Sequence, residues 1–136
     1  MPVVGEKKMP APVGGASAAG GYDQPTAGAT PVSWKVARTN DFVLAEFTIE
    51  GGVIQPSDLS SVQLPIQPEE EGHLGLVISG RGPVWLYAYL VHQAHPFAWV
   101  ATYDPRLQGA VVVASHVEGV KEGDVVPVDY TSLSFS

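Results

Sequence analysis

The stretch LGLVISGRGPVWLYAYLVHQAHPFAWVATYDPR, residues 74–106, decides the fold. It opens with a short apolar run, Leu74 to Ile78, that ends in Ser79-Gly80-Arg81-Gly82-Pro83. Val84 to His95 has helical length, and Trp85, Leu86, Tyr89 and Leu90 recur on one side of it. Pro83 suits a first helical turn, and Pro96 stops the helix because the residue before a proline disfavours the helical region. Phe97 to Tyr103 is a second apolar run and Ala110 to Ala114 a third, and their continuous apolar character predicts strands covered on both faces. Strand, helix, strand at this spacing predicts a right-handed βαβ unit with parallel strands.

On the N-terminal side, Trp34, Val36 and Arg38 alternate with Lys35, Ala37 and Thr39, which predicts a strand. Asn40-Asp41 makes a tight turn. Phe42 to Glu50 alternates again, with Phe42, Leu44, Glu46 and Thr48 on one face and Val43, Ala45, Phe47 and Ile49 on the other. The two segments form an antiparallel hairpin that Gly51-Gly52 breaks. Pro56 to Leu59 starts a short helix or turn, and Leu64 to Glu71 reads as a solvated connection. Val125, Val126 and Val128 add an edge strand, where Pro127 is tolerated. The fold class is therefore α/β: a small mixed sheet with an N-terminal hairpin, one βαβ unit and one main helix. Residues 1–32 are rich in Pro, Gly and Ala, the stretch Gly14 to Gly21 has no period and nothing bulky to bury, and the segment reads as a disordered tail before a domain at 33–136.

At 136 residues the chain has room for one core. It has no cysteine, which excludes disulfides, zinc–thiolate sites and a thiol nucleophile, so any metal must sit on His, Asp or Glu. A formal net charge of −7 argues against non-specific binding to long DNA or RNA, which rests on many Lys and Arg contacts. It leaves room for a small anion held by a few placed donors. No apolar run approaches the roughly 18 residues of a membrane helix, and the expected location is cytoplasmic.

Two loops carry candidate chemistry. Ser79, Gly80, Arg81 and Gly82 join the end of a strand to the start of a helix, where free N–H groups and the helix dipole favour an anion. Arg81 adds a planar fork for phosphate and Ser79 a hydroxyl. Tyr103-Asp104-Pro105-Arg106 ends the next parallel strand and should lie nearby. Asp104 is open to three roles there: general base, metal ligand, or orienting partner of Arg106. The plain alternative is a surface Asp104–Arg106 pair in an Asp-Pro turn. His92 and His95 lie three apart at the helix end, and His116 follows the third strand. Histidine suits proton transfer near neutral pH, and with carboxylates it suits a manganese-type site. Trp85, Tyr87 and Tyr89 read as core and subunit contact rather than as a base-stacking platform.

The order Val77-Ile78-Ser79-Gly80-Arg81-Gly82-Pro83-Val84-Trp85-Leu86-Tyr87, Leu90-Val91-His92, His95-Pro96, Trp99-Val100-Ala101, Tyr103-Asp104-Pro105-Arg106-Leu107, Gly109 to Val113 and Ser115-His116 resembles the small CRISPR-associated ring nucleases of type III systems, the family called Csx-three. Gly51 to Leu59 fits the same family, and the resemblance spans about Ser33 to Val128. It implies a compact, distantly Rossmann-like fold and a phosphodiesterase that degrades the cyclic tetra-adenylate messenger. Alternatives are a manganese-dependent exoribonuclease on RNA 3′ tails and a binding-only sensor. The resemblance carries over Ser79, Gly80, Arg81 and Gly82 as ligand-binding residues and His95, Asp104 and Arg106 as the catalytic group. It adds Asp104 and His116 as candidate ligands of Mn²⁺, and a homodimer that stacks head-to-tail into tetramers around the ligand.

The expected topology adds a constraint of its own. A βαβ helix runs antiparallel to its strands, so the Ser79 loop and Asp104 share one end of the sheet and His95 lies at the other. A 12-residue helix is roughly 18 Å long, so His95 would have to reach the same reaction from another subunit. Because the tail offers nothing to bury, deletion of residues 1–30 is expected to leave ligand binding and cleavage unchanged. A binding isotherm of the truncated protein checks this, and a loss of activity would place the tail in the site.

Overall fold

A computed structural model describes residues 30–136; the expected disordered tail lies outside the described residues, except for its last three. The elements are β1 (Val32–Arg38), β2 (Phe42–Ile49), a 3₁₀ turn at Pro56–Ser61, α1 (Pro68–Glu71), β3 (Gly75–Gly80), α2 (Val84–Gln93), β4 (Trp99–Asp104), β5 (Gly109–Ser115), β6 (Val125–Pro127) and a 3₁₀ turn at Tyr130–Ser132. They build one six-stranded sheet in the order β1-β2-β3-β4-β5-β6. β1 and β2 pair antiparallel from Val32↔Ile49 to Arg38↔Val43, as the alternation predicts. β2, β3 and β4 run parallel to one another, and β5 and β6 return antiparallel. The mixed α/β sheet with its hairpin and βαβ unit is thus the observed architecture.

Three local expectations need correction. The helix ends at Gln93, with Ala94 as its cap, so His95 lies beyond it rather than beside His92 on a helical face. β5 is not covered on both faces: Ala110 and Val112 are buried, but Val113 on the other face is 43% exposed. The segment 64–71 is not wholly solvated. Ile66 is buried, Gln93 binds the backbone of both Val62 and Leu64, and Glu71 takes two hydrogen bonds from Arg38 at 2.6 and 2.9 Å. That bond from Arg38 holds the Glu71 carboxyl below its ordinary range. The clamp between β1 and α1 is therefore present above the usual carboxylate pKa and is lost as pH falls through the lowered value.

Two apolar layers sandwich the sheet. On one face Leu86 and Leu90 of α2 pack on Val43, Ala45, Leu76, Ile78 and Val100. On the other, Phe42, Leu44, Val77, Trp99, Ala101, Ala110 and Val112 meet Val128, Tyr130, Leu133 and Phe135 of the C-terminal segment. That segment leaves β6, crosses the sheet and ends against the edge strand β1, where Val36 and Ser136 exchange two backbone hydrogen bonds. It works as a strap that replaces a second layer of helices and caps the free edge at Val36. Among the described residues no helix is long and apolar enough to cross a membrane.

Gly75 sets the spacing of the parallel centre. It pairs with Trp99, whose indole lies where a Gly75 side chain would project. Gly75→Ala must push the ring out of the second core, and overpacking of this kind costs about 1–3 kcal/mol. Urea unfolding is expected to show a lower midpoint with an unchanged slope; an unchanged midpoint would mean the indole moves aside freely.

Candidate functional site

The carboxyl ends of three parallel strands, β2, β3 and β4, meet at one edge of the sheet. Glu46 on β2 is the register partner of Ser79 on β3. Ile78 pairs with Thr102, so Tyr103 on β4 stands next to Ser79. Because side chains alternate along a strand, Glu46, Ser79 and Tyr103 form a row on the strap-covered face, as do Leu44, Val77 and Ala101 one step below. They open into a cleft of about 790 Å³ that Gly80, Arg81, Tyr87 and Tyr130 also line. A continuation of about 410 Å³ runs past Tyr103 to Asp104 and Arg106.

The loop Gly80-Arg81-Gly82 forms the mouth of this cleft. Gly80 has φ +144°, and a Cβ there would sit 2.7 Å from the Phe47 ring and carbonyl, so only glycine allows the chain to turn from β3 into α2 here. The first intrahelical bonds of α2 go from Leu86 and Tyr87 to the Pro83 carbonyl, so the N–H groups before them point out of the helix. Of the three described arginines, Arg38 is tied to Glu71 and Arg106 to Asp104. Arg81 is exposed and has no carboxylate partner among the described residues. Exposed N–H groups at a helix start and an arginine without a carboxylate partner are the chemistry that suits an anion.

Ser79 departs from its expected role. Its hydroxyl is buried and shares a 2.7 Å hydrogen bond with the Tyr130 hydroxyl, so it fastens the strap rather than facing a ligand. Tyr130 in turn meets Tyr103 edge-on at 5.1 Å and stacks on Phe135 at 5.9 Å. Tyr87 donates a 2.6 Å hydrogen bond to the Gly80 carbonyl. Burial, with the neighbouring Tyr130 and Glu46 adding to it, pushes the Tyr87 hydroxyl up to about 12, and burial also raises that of Tyr130. Both stay protonated near neutral pH. Tyr87, read from the sequence as core and subunit contact, lines the cleft; Tyr130 and Glu46 were not singled out from the sequence, although the alternation already put Glu46 on one face with Leu44.

Asp104 and Arg106 lie where expected, next to the loop, and they bind one another. The Asp104 carboxylate accepts from Arg106 Nη2 at 3.1 Å, from Nε at 3.3 Å and from its backbone N–H at 2.9 Å. The Arg106 side-chain bond is the main cause that holds the Asp104 carboxyl below its ordinary range, so it is ionised at neutral pH. Arg106 itself is exposed and can turn to a phosphate without unfolding anything.

His95 and His116 meet at the opposite edge of the sheet. Their rings are perpendicular with centroids 4.9 Å apart, and His116 donates its Nε2–H to the His95 carbonyl at 2.9 Å. The separation corrects the expected metal pair. Asp104 pairs with Gly109 at one end of the β4–β5 ladder, whereas Trp99 pairs with Ser115, next to His116, at the other. Five strand residues span roughly 17 Å, so Asp104 and His116 of one chain do not hold one Mn²⁺. Among the described residues no three His, Asp or Glu side chains gather in a metal-binding group. His73 and His92 are exposed and join neither site.

Two comparisons bear on this arrangement. The family model described as CRISPR-associated protein (Cas_csx3) matches residues 47–127, from Phe47 at the cleft to the end of β6. A protein of Aquifex aeolicus (strain VF5), described as an uncharacterized protein, is 41% identical over 97 residues, which cover 70% of this chain and 86% of that one.

The Ser79–Tyr130 bond generates a stability test. Tyr130→Phe leaves the buried Ser79 hydroxyl without its partner and is expected to cost about 1 kcal/mol in urea unfolding. Adding Ser79→Ala removes the stranded group, so the double variant is expected to be no less stable than the single one. Additive losses would mean the two hydroxyls do not act as a pair.

Proposed function

The chain belongs to the CRISPR-associated Cas_csx3 family, and from that premise we propose that it is a phosphodiesterase that linearises cyclic tetra-adenylate and so ends a type III antiviral signal. The observation that carries the reading is Arg81. In a chain of net charge −7, it is the described arginine without a carboxylate partner, on a glycine loop at a helix N-terminus over a cleft of nucleotide size.

The chemistry that fits is attack by a ribose 2′-oxygen on the adjacent phosphorus. The new P–O2′ bond forms as the P–O5′ bond breaks, leaving a 2′,3′-cyclic phosphate and a 5′-hydroxyl. A base takes the 2′ proton and the 5′-oxygen gains one. Arg81 holds the phosphate in line, and Arg106, steadied by Asp104, neutralises the charge that builds on the equatorial oxygens. His95 is the proton carrier. It lies across the sheet from Arg81, so it acts from a second copy: a two-fold dimer presents two loops to the ligand, and a further dimer stacked head-to-tail brings its histidines to the other side. No step is assigned to a metal.

A second reading, capture of the messenger without cleavage, draws on the same separation, since one copy holds no histidine beside Arg81. Incubation of the pure protein with labelled cyclic tetra-adenylate, with and without manganese, separates the two. Cleavage is expected to rise more steeply than linearly with enzyme concentration. Arg81→Ala is expected to weaken binding about ten- to a hundredfold, the loss of a charge-assisted hydrogen bond of roughly 1.5–3 kcal/mol. Mixing inactive Arg81→Ala with inactive His95→Ala is expected to restore activity, because each supplies the edge the other lacks. Retained ligand with no cleavage at any concentration would leave the capture reading standing; a mixture that stays inactive while both variants fold and self-associate would remove the shared site.

A further inference from the structure

The phosphate-facing loop accounts for one side of the cleft and leaves its floor without a role. Glu46 lines that floor, half-buried, on the same face as Ser79 and Tyr103. It has no hydrogen-bond or ion-pair partner among the described residues. Its antiparallel neighbour Lys35 stands directly opposite in the ladder, yet is exposed and forms no ion pair with it. A carboxylate in this position is an acceptor open to a donor from the cleft. The aromatic rings around it come from three separate elements: Tyr103 from β4, Tyr87 from α2 and Tyr130 from the strap. Tyr130 is braced from behind by Phe135 and fixed at its hydroxyl by Ser79, so its ring is held rather than free to swing. Held aromatic rings beside an unpartnered acceptor, with a cationic loop at the mouth, are the parts of a nucleotide site. The rings take the base by stacking, the acceptor reads its edge, and the loop takes its phosphate.

We propose that this cleft is a nucleobase pocket in which Glu46 selects a base edge that bears an exocyclic amino group, with Tyr103 and Tyr130 as its wall. The proposal rests on the phosphodiesterase reading for its choice of base: in cyclic tetra-adenylate the edge is the adenine 6-amino group. A carboxylate only accepts, so it binds that amino group and repels the 6-oxo group of hypoxanthine, which is otherwise the same purine. Glutamine in its place has both a donor and an acceptor and can meet either base. Glu46 thus sets specificity, while Arg81 sets affinity for any phosphate.

The pocket is tested with mononucleotides, which need no cleavage and no second copy. Full-length protein is titrated with adenosine 5′-monophosphate and inosine 5′-monophosphate, following the ring resonances of Tyr103 and Tyr130 by NMR. The adenine nucleotide is expected to shift both rings and to bind about tenfold more tightly than its inosine counterpart, the size of one hydrogen bond to a charged group. Glu46→Gln is expected to narrow that ratio to less than about threefold, mainly by improving inosine binding. Equal affinities in the wild type, tyrosine rings that do not respond, or a ratio unchanged by Glu46→Gln would each overturn the pocket. The wild-type arm stands without the variant if Glu46→Gln fails to fold. A preference for the adenine nucleotide with cyclic tetra-adenylate left uncut sinks the phosphodiesterase reading and keeps the pocket; cleavage with no discrimination between the two bases does the reverse.

Discussion

The parallel pairing of β3 with β4 is the constraint from which the rest follows. Two neighbouring strands that point the same way cannot be joined by a tight turn, so the chain must travel the length of the sheet between them. Here α2 makes that journey. Its N-terminus and the glycine loop before it are thereby fixed at the carboxyl edge, beside Tyr103 and Asp104. Its C-terminus delivers His95 to the opposite edge, where β5, turning back antiparallel, brings His116 to meet it. No local sequence preference puts these groups where they are. The direction of one strand pair does, and it separates a basic, cleft-forming edge from a histidine edge in every copy of the chain.

A single short helix cannot cover six strands. α2 shields the parallel centre on its own face, and Val113 of β5 stays exposed beyond its reach. The other face is closed by the nine residues of the strap, Val128 to Ser136, which hold a single 3₁₀ turn. The economy of this solution has a structural consequence. A helix packed there would cover the carboxyl edge with apolar side chains, whereas the strap passes over it with one tyrosine whose hydroxyl needs a partner and finds Ser79. The row Glu46, Ser79, Tyr103 therefore remains open at its outer end while Leu44, Val77 and Ala101, one residue pair deeper, are fully buried. The cleft is what is left where the second layer stops.

Most of the sheet was legible because its signals are local. Alternation over Phe42 to Ile49, the glycine pair after it, proline at both ends of α2 and the apolar runs of β3 and β4 each declare an element within a few residues. The Gly80-Arg81-Gly82 loop was legible as a turn for the same reason: glycine, cation and proline between a strand and a helix mark the junction wherever the chain goes next. What escaped depends on partners distant in sequence. Ser79 offered a ligand hydroxyl until Tyr130, 51 residues on, claimed it. Glu71 was one of three similar glutamates, and only the fold tells which of them faces Arg38. Glu46 had its face assigned by alternation, but nothing nearby says that this face ends in a cleft. The strap shows no strand or helix period at all, so Tyr130 and Phe135 gave no sign of being structural. Asp104 and His116 came as metal candidates from the resemblance, and the antiparallel return of β5 puts a full strand length between them.

Charge sets the terms on which such a protein can hold a polyanion. Each copy brings a net charge of −7, and its described basic residues near the cleft are Arg81 and the Asp104-bound Arg106. A ring of four phosphates carries more negative charge than one such loop can offset, and the protein's own field opposes its approach. In the proposed two-fold assembly, copies would present Arg81 more than once to a symmetric ring, so the donors would add. Asp104 contributes to the same balance. It keeps Arg106 oriented at the rim without burying either charge, and an exposed pair exchanges its carboxylate for a phosphate at little cost because water already screens it. On the proposed function, an acidic chain of this kind would bind strongly only what is multiply charged and shaped to meet several loops together.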